Sequence, residues 1–239
     1  MVLFTTKAQR HKANNEDFVS LCLCGERTRR TLVLTAVCRL RSGRGAPAMM
    51  PLPMALSATI YTFDISLSDM DRGVYAQLPL KIAQHPAESV DYMLTRVLAY
   101  CLEYTDALQP FLEFGRSVGT VGGAEPAVWA KDYTGAIKLW VEVGLPDFDK
   151  LHRAAKLAER VAVYTHRDPL QLIRALAGRG LFRGAEIPLI SFDRNFLAQL
   201  AERIGRRAAI DLSVTEQSLY VHIDGHSIEG KMDVKQGLE

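Results

Sequence analysis

The residues of this chain best suited to chemistry are two glutamates that a hairpin would set side by side. Ala127–Lys131 and Ala136–Val143 alternate as strands around the turn residues Asp132-Tyr133-Thr134-Gly135. If Lys131 and Ala136 close the turn, Trp129 faces Lys138, Ala127 faces Trp140 and Glu125 faces Glu142. Side chains alternate across a strand, so Ile137, Leu139, Val141 and Val143 share a core face with Val128. The other face carries Glu125, Trp129, Lys131, Lys138, Trp140 and Glu142. Carboxylates directly opposite one another repel, and such a pair calls for a cation or a shared proton. Two acids on a divalent ion with a lysine nearby suit metal-dependent phosphodiester cleavage. The metal activates water, and the lysine stabilises the nucleophile or the developing charge. Oxygen ligands favour Mg or Mn over zinc. The whole arrangement depends on register, because a one-residue change of turn length puts the two faces out of step. The plainer alternative is a solvated hairpin face, with Lys131 and Lys138 as surface counterions and the tryptophans packing across the strands.

A third acid is available from the preceding helix. Glu88, Tyr92 and Arg96 recur at i, i+4 and i+8, on the stripe opposite that helix's apolar residues. Other motifs carry less. Gly115-Arg116-Ser117-Val118-Gly119 matches a hydrolase nucleophile elbow, but glycines follow where that motif requires a helix. His222 and His226 flank an Asp224-Gly225 turn and read as exposed hairpin side chains. His152, Arg153 and Lys156 read as a solvated basic face. Tyr164, at the end of a buried strand, reads as a core residue with a satisfied hydroxyl. Neither a phosphate-binding GxxxxGK[ST] loop nor a dinucleotide fingerprint occurs.

The elements that must position these residues begin near Met54. Thr59–Leu67 and Val74–Ile82 read as a hairpin, with Ile60, Phe63, Ile65 and Leu67 the apolar residues of its first strand. A helix over about Glu88–Tyr104 places Val90, Met93, Leu94, Val97, Leu98 and Cys101 at helical spacing. Leu112–Arg116 is a short strand. After the central hairpin, Asp147 or Asp149 caps a helix reaching about Glu159, and Val161–Tyr164 is a continuous apolar run expected of a strand buried on both faces. A helix at Pro169–Ala177, a strand at Ile187–Ile190 and a helix at Asn195–Ile204 come next. A hairpin of Ala209–Val214 and Ser218–Ile223 closes the chain, continuing past Asp224-Gly225. Within this order, helix, three strands, helix, strand ends in a crossover, so the last two strands should lie parallel.

Composition divides the 239 residues at the same place. Residues 1–53 hold nine Lys/Arg against three acids, a net +6, so the chain total of +2 leaves −4 for the remaining 186. The folded part therefore offers no whole-domain electrostatic case for nucleic acid. Cys22, Cys24 and Cys38 lie in the leading segment, and only Cys101 in the main domain, as a buried thiol of a reducing compartment. Cys22 and Cys24 stand too close for a zinc knuckle. No apolar run reaches a membrane span, and the leading segment lacks a signal-peptide core. We expect residues 1–53 to be a non-native extension or a disordered basic tail, residues 54–239 to form a single cytoplasmic domain, and a monomer to be favoured.

Several stretches resemble the YaeQ family of bacterial proteins: His85-Pro86-Ala87-Glu88, Arg96-Val97-Leu98-Ala99, Leu112-Glu113-Phe114, Glu125-Pro126, Gly135 through Asp147, and Val163-Tyr164. The resemblance runs from Met54 to the C-terminus. It implies an α/β (α+β) domain with a restriction-endonuclease-like core, a mixed central sheet flanked by helices, with extra β-hairpins at both ends. It also implies that this core is a variation on the PD-(D/E)XK nuclease fold, and it carries no settled activity. Joined to the hairpin reading, it puts Glu125 and Glu142 on Mg or Mn, Glu88 as a third acid and Lys131 beside the nucleophile as one hypothesis. Arg96, Trp129, Lys138, Trp140 and Tyr164 would surround them. Two departures stand out. The motif wants lysine at position 144, which is glycine, so Lys131 or Lys138 must replace it, and Glu125 follows no proline but precedes Pro126. Two functions remain open: a metal-dependent nuclease acting on nucleic acid, or a catalytically inactive module that binds protein or nucleic acid in the same groove.

Overall fold

The computed structural model describes residues 58–116 and 125–238, so the expectation for residues 1–53 lies outside it. The chain divides into Met1–Pro51 and Leu52–Glu239, and every described element belongs to the second unit. It opens with β1 (Thr59–Asp69), β2 (Val74–Gln84) and α1 (Val90–Glu103). The centre holds β3 (Leu112–Phe114), β4 (Val128–Lys131), β5 (Ile137–Val143), α2 (Phe148–Leu157) and β6 (Ala158–Thr165). The remainder is α3 (Pro169–Leu176), β7 (Leu189–Phe192), α4 (Arg194–Arg203), β8 (Arg207–Thr215), β9 (Ser218–Ile223) and β10 (His226–Lys235).

Local chemistry explains the helix starts. The Ser89 hydroxyl accepts from the Tyr92 N–H, Asp168 from Leu170 and Asp193 from Asn195, each relieving a helix-start amide that has no partner within its helix. Pro169 follows its cap at the first helical position, where its missing N–H costs nothing.

All ten strands form one mixed sheet in the order β2-β1-β8-β9-β10-β7-β6-β5-β4-β3. The expected crossover is present, with β5 parallel to β6, and β6 is parallel to β7 in turn. The terminal hairpins are not appendages to a central sheet. β1 runs parallel to β8 from Thr62↔Arg207 to Asp69↔Val214, and β10 pairs with β7, which joins both hairpins to the core strands. That long-range pairing leaves no mark in local periodicity. β6 also starts at Ala158, where helical spacing continues in the sequence, because Ala158 pairs with Ile137.

Burial follows strand type. β1 and β2 keep one wet face, burying Phe63, Ile65, Leu67, Leu78, Leu80 and Ile82 while Ile60 stays exposed. α1 and α4 cover the inner face. Around β5 and β6 both faces are covered. Leu139, Val141 and Val143 join the α1 core, while Trp140, Val161 and Val163 pack with Leu151, Ala154 and Leu172 of α2 and α3. Among the described residues no helix is long and apolar enough to cross a membrane.

Gly230 marks the tightest approach of helix to sheet. A Cβ there would lie 2.7 Å from the Phe196 Cβ and closer still to its ring, and Phe196 is fully buried. Gly230→Ala is expected to cost about 1–3 kcal/mol by overpacking, lowering the urea midpoint. An unchanged midpoint would show that α4 is free to shift on β10.

Candidate functional site

The hairpin register decides which acids meet. The Asp132 carboxylate accepts from the Thr134 N–H (2.8 Å), the Thr134 hydroxyl (2.6 Å) and the Ala136 N–H (3.0 Å), while the Asp132 N–H donates to the Ala136 carbonyl (2.9 Å). Asp132, not Lys131, therefore closes the turn, with Gly135 supplying a φ of +86°. Lys131 then pairs with Ile137 but Ala130 with Leu139, leaving Lys138 as the extra residue of a bulge. The two changes together displace the strands by two positions. Trp129 faces Trp140 and Val128 faces Val141, and the Ala127 N–H donates to the carbonyl of the same Val141, where the regular pairing ends. Glu125 lies beyond the last paired residue of β4. The expected opposition of Glu125 and Glu142 is not formed.

The expected wet face is only partly wet: Lys131 and Lys138 are exposed, but its far end is not. Trp140 is buried under α2, and Glu142 is 1% exposed. Glu142 has a partner for each oxygen: the Trp140 indole N–H donates to Oε1 (2.8 Å) and the Lys150 ammonium to Oε2 (2.7 Å). Burial raises the Glu142 pKa above its ordinary value of 4.5, the Lys150 charge and its hydrogen bond oppose the rise, and Asp147 adds to it.

α1 brings its polar stripe to the same place. Tyr92 is pushed up to about 12, first by burial and then by the charge of Glu142, with Arg96 and Glu88 as further neighbours. Arg96 donates to Glu88 Oε1 (2.9 Å) and to the Gly115 carbonyl (3.2 Å), and the His85 N–H donates to Glu88 Oε2 (3.0 Å). His166 meets the Tyr92 ring edge-on at 6.0 Å, and its pKa is lowered, first by burial and then by Arg167. These groups gather at the carboxyl ends of parallel β5 and β6, Glu142 within β5 and His166 just after β6.

Gly144 sits at the end of β5 with a φ of +89°, and Tyr92 and His166 stand beside it. That backbone disfavours any side chain there, the expected lysine included. Lys150, six residues on, supplies the ammonium from the first turns of α2. The sequence offered no signal for it, since the pairing exists only once α2 folds back over Glu142. His166 was likewise unforeseen.

The other expected residues separate. Glu125 accepts from the Arg116 N–H (3.0 Å) and lines a recess of about 270 Å³ with Glu113, Trp129 and Lys131, whose ammonium stands 3.5 Å from the Trp129 ring centre. Lys138 turns away to Glu159 (2.8 Å). Tyr164 is buried with its hydroxyl donated to Glu103 (2.9 Å), the satisfied core residue its sequence suggested. His222 stays exposed beside Ser227, and Ser117 lies outside the described residues.

Mg or Mn does not fit these acids as they stand. Both oxygens of Glu142 and of Glu88 already accept hydrogen bonds, and among the described residues no three His, Cys, Asp or Glu groups converge on one point.

Comparison with known proteins gives a consistent relationship. The family described as YaeQ protein matches residues 54–232. The chain is similar to the "Uncharacterized protein YaeQ" of Escherichia coli (strain K12), 37% identical over 113 residues, which is 47% of this chain and 59% of that protein. That alignment thus spans about three fifths of this relative's length, and the same holds for the Shigella flexneri protein. The Salmonella typhi protein of the same name is 28% identical over 74% of this chain and 94% of its own length. The crystal structure of the YaeQ protein from Xanthomonas axonopodis pv. citri superposes with a TM-score of 0.67 at 29% identity, covering 76% of this chain and 99% of that one. The Pseudomonas syringae YaeQ structure gives 0.65 at 29% identity, covering 75% and 97%.

The Glu142–Lys150 pair predicts a pH signature. Removing Lys150 takes away the charge that holds the Glu142 pKa down. An acid whose folded pKa is raised keeps its proton in the folded state, so stability falls as pH rises from the unfolded value through the folded one. Lys150→Met should therefore stay near wild-type stability at pH 4 and lose on the order of 3 kcal/mol by pH 7. Glu142→Gln in the same background should restore most of it. Urea denaturation across that range checks this, and a loss independent of pH would dissolve the pair.

Proposed function

The chain belongs to the YaeQ family, and from that premise we propose that it is a binding module on a restriction-endonuclease-like core, its ligand held beyond the carboxyl ends of β5 and β6. The observation that carries this reading is the saturation of Glu142, whose two oxygens are held by Trp140 and Lys150 at 2.8 and 2.7 Å. A metal at this carboxylate would have to compete with the Trp140 and Lys150 hydrogen bonds for its oxygens. Support for the core comes from the run α1, β3, β4, β5, α2, β6, with β3 to β6 adjacent and β5 and β6 parallel. The ligand meets Tyr92, His166 and the outer side of Lys150, which remains a quarter exposed. The net −4 of residues 54–239 favours a protein segment over a nucleic-acid backbone.

One observation favours a second reading. Lys150 beside Glu142 restores an acid–lysine pair that Gly144 could not carry, which a PD-(D/E)XK nuclease would use. In that reading Glu142 would take Mg or Mn only by giving up its present partners, and Glu125 and Glu88 would have to move to join it. The ion would supply the water-activating charge that phosphodiester cleavage needs.

Calorimetric titration of manganese separates the two. On the binding reading, wild type and Glu142→Gln give the same isotherm. Saturable binding lost only in Glu142→Gln would transfer the case to the nuclease.

A further inference from the structure

A second cavity, of about 350 Å³, lies where α1 ends, between the β1–β2 turn and strands β6, β7, β8 and β10. Glu142, Lys150, Tyr92 and His166 are not among its lining residues. Two arginines line it, Arg72 and Arg160, and each is held by a buried carboxylate: Arg72 by Asp69, which also lines the cavity, and Arg160 by Glu103, which does not. Arg72 Nε donates to Asp69 Oδ2 (2.7 Å), and its two terminal nitrogens donate to the carbonyls of Tyr104 (3.3 Å) and Cys101 (3.5 Å). The terminal nitrogens of Arg160 donate to the two oxygens of Glu103, which also takes the Tyr164 hydroxyl. Asp69 and Glu103 are 1% and 2% exposed, whereas the Arg72 and Arg160 side chains remain 34% and 56% exposed.

A guanidinium carries five N–H donors. Arg72 uses three and Arg160 two, so two and three remain respectively. The acids on the rim are already engaged: Asp71 accepts the Glu216 and Gln217 N–H groups at 2.8 and 3.3 Å, and Glu186 holds Arg183 at 2.7 Å. The unfilled hydrogen-bonding capacity of the two arginines is therefore donor capacity, on guanidiniums whose orientation is fixed before any ligand arrives. Leu102, Val214, Met232 and Val234 give the rest of the lining an apolar character. The volume falls at the lower end of small-molecule sites, about 300–1,000 Å³.

We propose that this cavity binds a small organic oxyanion, a carboxylate or monophosphate ester on a short apolar body, with its oxygens on Arg160 and Arg72. This goes beyond the crevice reading and does not rest on it. The test titrates hexanoate, phenyl phosphate, acetate and inorganic phosphate into the full chain by calorimetry. Hexanoate or phenyl phosphate should saturate at least tenfold more tightly than acetate and inorganic phosphate, and which of the two binds identifies the head group. Arg160→Gln should weaken that binding tenfold or more. Because this change strands Glu103 and could unfold the protein, Val234→Trp serves as a second variant, filling the cavity while leaving both arginine pairs in place. Glu142→Gln should leave the binding unchanged, keeping this result separate from that of the crevice. No saturable binding of any of the four compounds overturns the proposal, as does binding that survives either Arg160→Gln or Val234→Trp in folded protein.

Discussion

Four carboxylates are buried among the described residues, and each is held by a cation: Asp69 by Arg72, Glu88 by Arg96, Glu103 by Arg160 and Glu142 by Lys150. All four pairs converge on α1. Arg96 and Glu103 belong to it, Arg72 reaches its last carbonyls, and Glu142 is felt by its Tyr92. Taking a carboxylate out of water costs several kcal/mol, and attraction to a partner recovers that only with good geometry and further hydrogen bonds. The extra bonds are present here: the Trp140 indole on Glu142, the His85 amide on Glu88, the Tyr164 hydroxyl on Glu103 and the Arg72 amide on Asp69. Such pairs are weak evidence of net stability. Their consequence is positional, because a helix tied at both ends and its middle to strands of both sheet halves has little freedom to slide.

That constraint bears directly on function. A site built for a metal leaves carboxylate lone pairs facing an open position, whereas these acids face their own cations. The same device produces the opposite result on the other partner. A guanidinium fixed by a buried acid and left half in water is a prepared donor, as at Arg160. Burial of the acid with exposure of the base is marked at Arg160 and Arg72, weaker at Lys150, which is a quarter exposed, and absent at Arg96, which is buried together with Glu88.

The sheet supplies the frame for both. Pairing of β1 with β8 and of β10 with β7 makes one ten-stranded surface from what would otherwise be a core and two hairpins. The helices then divide between its faces, α1 and α4 on one and α2 and α3 on the other. Glu142 becomes a buried residue only because α2 covers the second face.

What the sequence determined by itself was local or carried by resemblance. Apolar spacing in α1, the alternation of β1 and β2, the continuous apolar run of β6 and the parallel order of β5 and β6 were all legible, because they follow from backbone period and crossover geometry. The stripe of Glu88, Tyr92 and Arg96 was legible for the same reason, and so was the family. Tertiary structure decided the rest. A turn closed by Asp132 and a bulge at Lys138 set Trp129 against Trp140 where Lys138 was expected, a displacement set by side-chain hydrogen bonds that alternation cannot register. Which cation answers which acid was beyond reach too. Lys150 and Glu142, like Arg160 and Glu103, meet through packing between separate elements, and no spacing along the chain encodes it.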